Sequence, residues 1–246
     1  MRRCASALLV SVWIAFAPNA FGWGNSGHQT VGAIADRLIA NSNAADGVKA
    51  LLQPGESLES ISIWADCAKG YCGPLTAEMQ EFVNGNPQHH DYHFTDLPFE
   101  LNAYAEGAVG TTDRDVVHVL RQCVSVLRGD TSAQSNPHNL TPRQALLLLT
   151  HLVGDLHQPL HVGTAYMDTG NHYVIPTTQS SVDEASIFAR HGDNDLLKGS
   201  AALHGYWDTQ AVKSAMSAAH ATTPCYRAGV SVHQRHPEVK TCWRRY

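Results

Sequence analysis

The chain has 246 residues, 43% of them hydrophobic and 16% charged, with a formal net charge of −5. That length fits one domain around a single core, and no internal repeat or low-complexity tract points to an array. The acidic balance argues against broad electrostatic capture of duplex nucleic acid, so any anion has to be held by local charge.

The chain opens on Arg2 and Arg3, an apolar run over residues 5–17, and small residues around Ala20-Phe21-Gly22. This pattern predicts a secretory signal peptide over residues 1–22 and a secreted or periplasmic product. The apolar run is shorter than the roughly 20 residues of a membrane span, and Pro18 and Asn19 follow it closely, so a signal anchor is the lesser alternative. Cleavage after Gly22 leaves 224 residues starting at Trp23, with 15 basic and 22 acidic side chains and a net charge of −7. It also frees an α-amino group of pKa about 8, able to bind a metal together with its own carbonyl. His28 lies five residues on.

Residues 27–40 carry Val31, Ile34, Ala35 and Leu38 at helical spacing, and residues 113–127 repeat the pattern with Val116, Val117, Leu120 and Val124. Between them lie Trp64-Ala65-Asp66 and Tyr92-His93-Phe94-Thr95-Asp96, each with metal-ligand side chains. Sustained strand alternation is missing, so the chain reads as all-α.

Thr141-Pro142 supplies an N-cap hydroxyl and a proline at the first helical position, which predicts a helix over about 142–156. Its apolar run, Leu146 to Leu149, is broken by His151 and Asp155. Residues four apart stack on a helix, about 6 Å between Cβ atoms, so this pair can face one metal or two neighbouring ones. Pro159 ends the helix and lets the chain bring His161 back toward the same centre. A lone HxxxD pair is as well explained by a satisfied His–Asp bond in a core. Recurrence changes that reading: His204 and Asp208 repeat the spacing, and Asp66 and His93 add the same ligand chemistry, which together predict a multinuclear metal site.

Other residues carry less. His89, His90, His157, His172 and His191 sit in polar stretches and are expected at the surface, while Trp64 and Trp207 are expected as core anchors. Residues 163–197, punctuated by Gly, Asn, Pro and Ser, read as a long loop on the active-site side. Asn139-Leu140-Thr141 forms a glycosylation sequon and serves equally as a helix entrance. Once Cys4 leaves with the signal, Cys67, Cys72, Cys123, Cys225 and Cys242 remain, an odd number for an oxidising compartment. Cys67 and Cys72 either close a small loop beside Asp66 or reach toward the C-terminal region, and the plainest reading leaves one or more thiols free. No CxxC pair is present, which argues against a zinc–cysteine cluster.

Taken in order, WGNSGH from Trp23, WAD at 64–66, HFTD at 93–96, HLVGDLHQPLH at 151–161 and LHGYWD at 203–208 resemble the S1/P1 nuclease family, whose members are secreted and zinc-dependent. The resemblance spans Trp23 to about Asp208 and implies one mainly helical domain of the phospholipase C/P1 nuclease type over residues 23–246. It further implies three zinc ions. Asp155 bridges a close pair; one of the pair takes Asp66, His93 and His151, the other the amine and carbonyl of Trp23 with His28, and the separate third ion takes His161, His204 and Asp208. Lys69 stands where a basic side chain faces the scissile phosphate, Asn194 where an asparagine contacts it, and Phe94 and Asp96 where a base is held. Family members continue into further helices beyond the last motif, whereas residues 222–246 here are rich in Arg, His, Pro and Cys without an apolar period; the expectation is a truncated or differently ended chain.

The chemistry fits without that resemblance. Two zinc ions about 3.5 to 4 Å apart share a water and lower its pKa toward neutrality, a separate ion meets the departing 3′-oxygen, and Lys69 adds charge at the phosphorus. Phe94 can stack on a base while Asp96 bonds its edge. Single strands and nucleotides suit a recessed centre because their bases are unstacked. The expected activity is therefore hydrolysis of single-stranded DNA and RNA to 5′-phosphorylated products, with 3′-nucleotidase activity, by a monomer. The alternatives are a phospholipase C, for which Glu is expected in place of Asp208 together with a more apolar mouth, and a zinc-binding protein without catalysis.

Overall fold

The computed structural model describes residues 23–222 apart from 102, 131, 169, 171, 186–196 and 199–200. The signal segment, His191, Asn194, Cys225 and Cys242 lie outside the described residues. The architecture is mainly helical. Among the described residues, nine helices run in order: α1 (Asn25–Ile39), α2 (Asn43–Leu51), α3 (Leu58–Ile61), α4 (Trp64–Ala68), α5 (Ala77–Gly85), α6 (Val116–Leu127), α7 (Pro142–Asp155), α8 (Pro159–Val162) and α9 (Gln179–Ala185). A last helical stretch follows as Leu203–Gly205, a widened π turn over Tyr206–Ala211, and Val212–Thr222.

The helix starts follow from local chemistry. Thr141 accepts from the Gln144 N–H while the Gln144 side chain accepts from the Thr141 N–H, closing a capping box behind Pro142. Asp115 caps α6 by accepting from the N–H groups of Val117 and His118, which places the start slightly later than the sequence pattern suggests. The paired helices α6 and α7 build the core from Val116, Val119, Cys123 and Val126 on one side and Leu147, Leu148 and Leu152 on the other. Each such buried side chain contributes roughly 1.5–3 kcal/mol of transfer free energy. Helix α1 approaches α3 so closely that a Cβ on Gly32 would stand 2.4 Å from the Leu58 carbonyl oxygen. Asp36 uses that approach to cap α3 through the N–H groups of Leu58 and Glu59.

Two expectations change. The stretch 163–197 is not one loop: β1 (Tyr166–Met167) pairs antiparallel with β2 (Tyr173–Val174), and α9 follows. The hairpin forms because Asp168 ties its turn, accepting from the N–H groups of Gly170 and His172. A second two-residue pair joins Leu197–Lys198 to Ala201–Ala202. His89 is buried rather than exposed, because its Nδ1 bonds the Asn86 carbonyl and its ring meets the edge of Phe82. His90, His157 and His172 are exposed as expected. Trp64 is a buried core anchor against Phe82, and Trp207 is half-buried.

Candidate metal centre

The eight side chains proposed as ligands among the described residues arrive from six pieces of this frame. His28 comes from α1, Asp66 from α4, His93 from a 3₁₀ turn over His89–His93, His151 and Asp155 from α7, His161 from α8, and His204 and Asp208 from the last helical stretch. Pro159 therefore ends α7 and also begins the short helix that carries His161 back. The π turn widens the helix at Asp208, a feature that often marks functional positions.

The side chains converge on Asp155. Its Oδ1 lies 3.4 Å from His28 Nε2 and 3.4 Å from His161 Nδ1; its Oδ2 lies 2.8 Å from His93 Nδ1 and 3.2 Å from His151 Nε2. Asp66 Oδ1 stands 3.7 Å from His151 Nε2 and 2.8 Å from Lys69 Nζ. Ligand atoms of His28, His151 and Asp155 lie within 4.8 Å of one another, and so do those of Asp66, His93 and His151. A third group adjoins them, with His161 Nε2 3.1 Å from His204 Nε2 and His204 Nε2 3.5 Å from Asp208 Oδ2. His151 is thus common to both groups, and His161, His204 and Asp208 stand beside them.

Neighbours orient these rings. His151 Nδ1 bonds the Ser62 carbonyl, which aims Nε2 into the cluster, and His161 Nδ1 bonds the His93 carbonyl, which aims Nε2 at His204. Gln158 donates to Asp208 Oδ1 and leaves Oδ2 facing inward. The Gly24 N–H donates to the Asp208 carbonyl, which holds the start of the described chain, with Trp23 half-buried beside it, against this end of the centre.

A cation fits what these residues leave open. Both ring nitrogens of His28, His151 Nε2, both oxygens of Asp66, Asp155 Oδ1 and Asp208 Oδ2 are buried without a hydrogen bond. The Lys69–Asp66 approach is an ion pair lacking hydrogen-bond angles. Buried acceptors in such number are costly unless a metal satisfies them, and neutral imidazole with carboxylate is a zinc donor set.

Electrostatics agrees. Burial disfavours the charged form of His93, with Lys69 adding repulsion, and lowers it to about 3; burial likewise lowers His161 to about 4. Both rings are thus neutral and ready to ligate at pH 7. Burial pushes the Asp66 carboxyl up, but the charges of His151, Lys69 and His93 outweigh it and hold it at about 2. Burial lifts Asp208 to about 8 in the metal-free chain against the Gln158 bond. A cation has to displace that proton.

Phe94 and Asp96 lie beside the centre, both half-buried. Phe94 is extended, with φ −148° and ψ 169°. Cys67 and Cys72 form a disulfide that encloses Lys69, and Cys123 is a free thiol buried in the core, its pKa raised to about 12 by burial. Sequence spacing gave no sign of the Ser62 and His93 carbonyls or of Gln158 as orienting groups; only the third dimension pairs them with the ligands.

A mainly helical frame around a buried His/Asp centre with unpartnered acceptors defines a candidate metallohydrolase. The chain belongs to the S1/P1 nuclease family, whose sequence pattern matches residues 23–237. It is similar to Endonuclease 2 of Arabidopsis thaliana, 29% identical over 174 residues that make up 67% of this chain and 54% of that protein. It is also similar to Nuclease S1 of Aspergillus oryzae, 29% identical over 149 residues (60% of this chain, 47% of the relative), and to Endonuclease 4 of Arabidopsis thaliana, 23% identical over 196 residues (79% and 56%). The chain spans about half the length of these relatives. No helix among the described residues is long and apolar enough to cross a membrane.

Proposed function

We propose that residues 23–246 form a secreted or periplasmic zinc-dependent nuclease that cleaves single-stranded DNA and RNA to 5′-phosphorylated products and acts as a 3′-nucleotidase. The observation that carries this reading is the convergence of buried, unpartnered acceptors from His28, Asp66, His151, Asp155 and Asp208 within one helical frame. Three zinc ions, when bound, supply an activated water at neutral pH and positive charge against the departing 3′-oxygen.

The chain's own residues hold that chemistry in place. Asp155 serves two positions at once, with Asp66, His93 and His151 on one side and Trp23 and His28 on the other. His161, His204 and Asp208 serve the third. Lys69, fixed against Asp66, adds positive charge where the phosphorane becomes more negative. Phe94 stacks on a base and Asp96 accepts from its edge, which favours unpaired nucleotides over duplex. Asn194 is assigned a phosphate contact on the family pattern alone.

Two measurements test this. Intact mass with metal analysis of the exported protein should give a chain beginning at Trp23 with three zinc ions; a retained Gly22 removes the terminal amine from the ligand set. Turnover of denatured DNA should then exceed that of a phosphatidylcholine analogue. Lipid hydrolysis without nuclease activity would favour phospholipase chemistry, and full zinc with neither activity would make the protein a metal binder.

A further inference from the structure

The centre and the proposed base pocket are joined by more than adjacency. Asp96 is tied down on backbone and side chain: its N–H donates to the Gly110 carbonyl at 3.1 Å, its carbonyl accepts from the Tyr166 hydroxyl at 2.5 Å, and its Oδ1 accepts from the Thr164 hydroxyl at 2.9 Å. Thr164 and Tyr166 are each 1% exposed, so neither hydroxyl is a surface group that water could replace. Gly110 is forced by the same packing. It sits at φ +85°, and a Cβ there would stand 1.9 Å from the Asp96 carbonyl oxygen.

The backbone carries the connection on to the metal ligands. The Thr95 N–H donates to the His161 carbonyl at 2.8 Å and the Thr164 N–H to the Leu97 carbonyl at 2.7 Å, so residues 95–97 and 161–164 are laced together. His161, the candidate ligand of the third position, and Thr164, which grips the Asp96 carboxylate, lie three residues apart on one short segment. A base bonded to Asp96 is thereby held at a fixed distance from the place where its 3′-phosphate is cut.

We propose that Thr164 is the positioning residue for base selection, locking the Asp96 carboxylate so that it favours bases with adjacent N–H donors over uracil and thymine. This rests on the reading of Asp96 as a base contact. An ionised carboxylate only accepts hydrogen bonds. Guanine offers N1–H and the 2-amino group side by side, whereas uracil and thymine offer one N–H between two carbonyl oxygens that repel the carboxylate. A carboxylate free to rotate could turn from those oxygens; one gripped through Oδ1 cannot.

The test compares 3′-GMP with 3′-UMP on zinc-loaded protein. Thr164→Val keeps shape and removes the hydroxyl. It should raise KM for 3′-GMP about tenfold, the equivalent of one charge-assisted hydrogen bond, with kcat within about twofold and the preference for guanine largely lost. Thr164→Ser should restore the preference, which a merely structural role of the methyl group would not predict. Tyr166→Phe, which removes only the hydroxyl on the Asp96 carbonyl, should weaken the preference in smaller measure and keeps the test open if the valine variant is unstable. Asp96→Asn should abolish the preference. Loss in Asp96→Asn with full retention in Thr164→Val and Tyr166→Phe overturns the proposal alone; retention in Asp96→Asn as well overturns the base-contact reading beneath it.

Discussion

The His28 ring lies directly on Gly154: a Cβ at residue 154 would stand 2.8 Å from His28 Nδ1. Helix α7 thus gives up a side chain immediately before Asp155 so that α1 can bring an imidazole against it. Gly154→Ala sets two effects against each other. Alanine gains up to about 1 kcal/mol of helix propensity over glycine, while overpacking costs about 1–3 kcal/mol or moves the ring. Since His28 is buried and stacked on His151 with 3.7 Å between ring centres, its displacement is the expected outcome. Melting temperature should change little while bound zinc falls by about one equivalent; unchanged zinc by metal analysis would mean that His28 has room to shift and still ligate.

His151→Ala and Asp155→Asn should each reduce turnover below detection. Both side chains are wholly buried, and Asp155 faces four imidazoles. His157→Ala is the matched control two residues beyond Asp155, where an exposed ring in the turn after α7 bonds only the Val153 carbonyl of that helix. It should retain near-normal rates. Equal loss in all three variants, assayed on denatured DNA, would show that the histidine assignments are wrong.

The contrast between those histidines shows what sequence can and cannot carry. Period and caps make α7 legible, because Thr141, Pro142 and Gln144 act within four residues of one another. HxxxD spacing is equally local, so His151 with Asp155 and His204 with Asp208 are legible as pairs. His89 is not legible, since its burial depends on Phe82 and Asn86 turning back over it from the end of α5. The Thr164–Asp96 bond joins residues 68 apart, and no periodicity reports such a contact. The hairpin within 163–197 escapes for a related reason: two-residue strands are too short to alternate.

Replacing Cys67 and Cys72 together by serine should slow catalysis as well as lower stability. Their disulfide closes a loop of sequence separation 5 around Lys69, and chain entropy assigns such a closure about 2 kcal/mol. The turn has its own supports, in the Lys69 N–H on the Asp66 carbonyl, the Gly70 N–H on the Cys67 carbonyl, and Gly70 at φ +88°. Those bonds fix the backbone, yet Lys69 Nζ must also reach Asp66 at 2.8 Å. The expected result is a lower melting temperature with kcat down by about tenfold, the equivalent of roughly 1.4 kcal/mol lost at the transition state. A lower melting temperature with unchanged kcat would assign the positioning of Lys69 to the turn alone.

The metal-free protein should be most stable near pH 6.5 and lose stability on both sides. His93 and His161 have folded pKa values of about 3 and about 4, below the 6.5 from which both are shifted, so between pH 4 and 6.5 the unfolded chain binds two protons that the folded chain refuses. Asp208 acts oppositely. Its folded value of about 8 against 3.8 means that the folded chain holds one proton the unfolded chain has released. Burial lowers His28, His89, His90 and His138 too, so the histidines outnumber it below 6.5 and stability rises with pH there. Above 6.5 the contribution of the lowered histidines is complete, and Asp208 continues together with His151, whose pKa is raised because Asp155 and Asp66 overcome its burial. Stability then falls until about pH 8. Saturating zinc should remove the alkaline decline, because Asp208 then binds metal in place of its proton. Thermal melts of chelator-treated and zinc-loaded protein at about pH 5, 6.5 and 8 read this directly, and a metal-free curve that climbs without a maximum through pH 8 would contradict the protonated state assigned to Asp208.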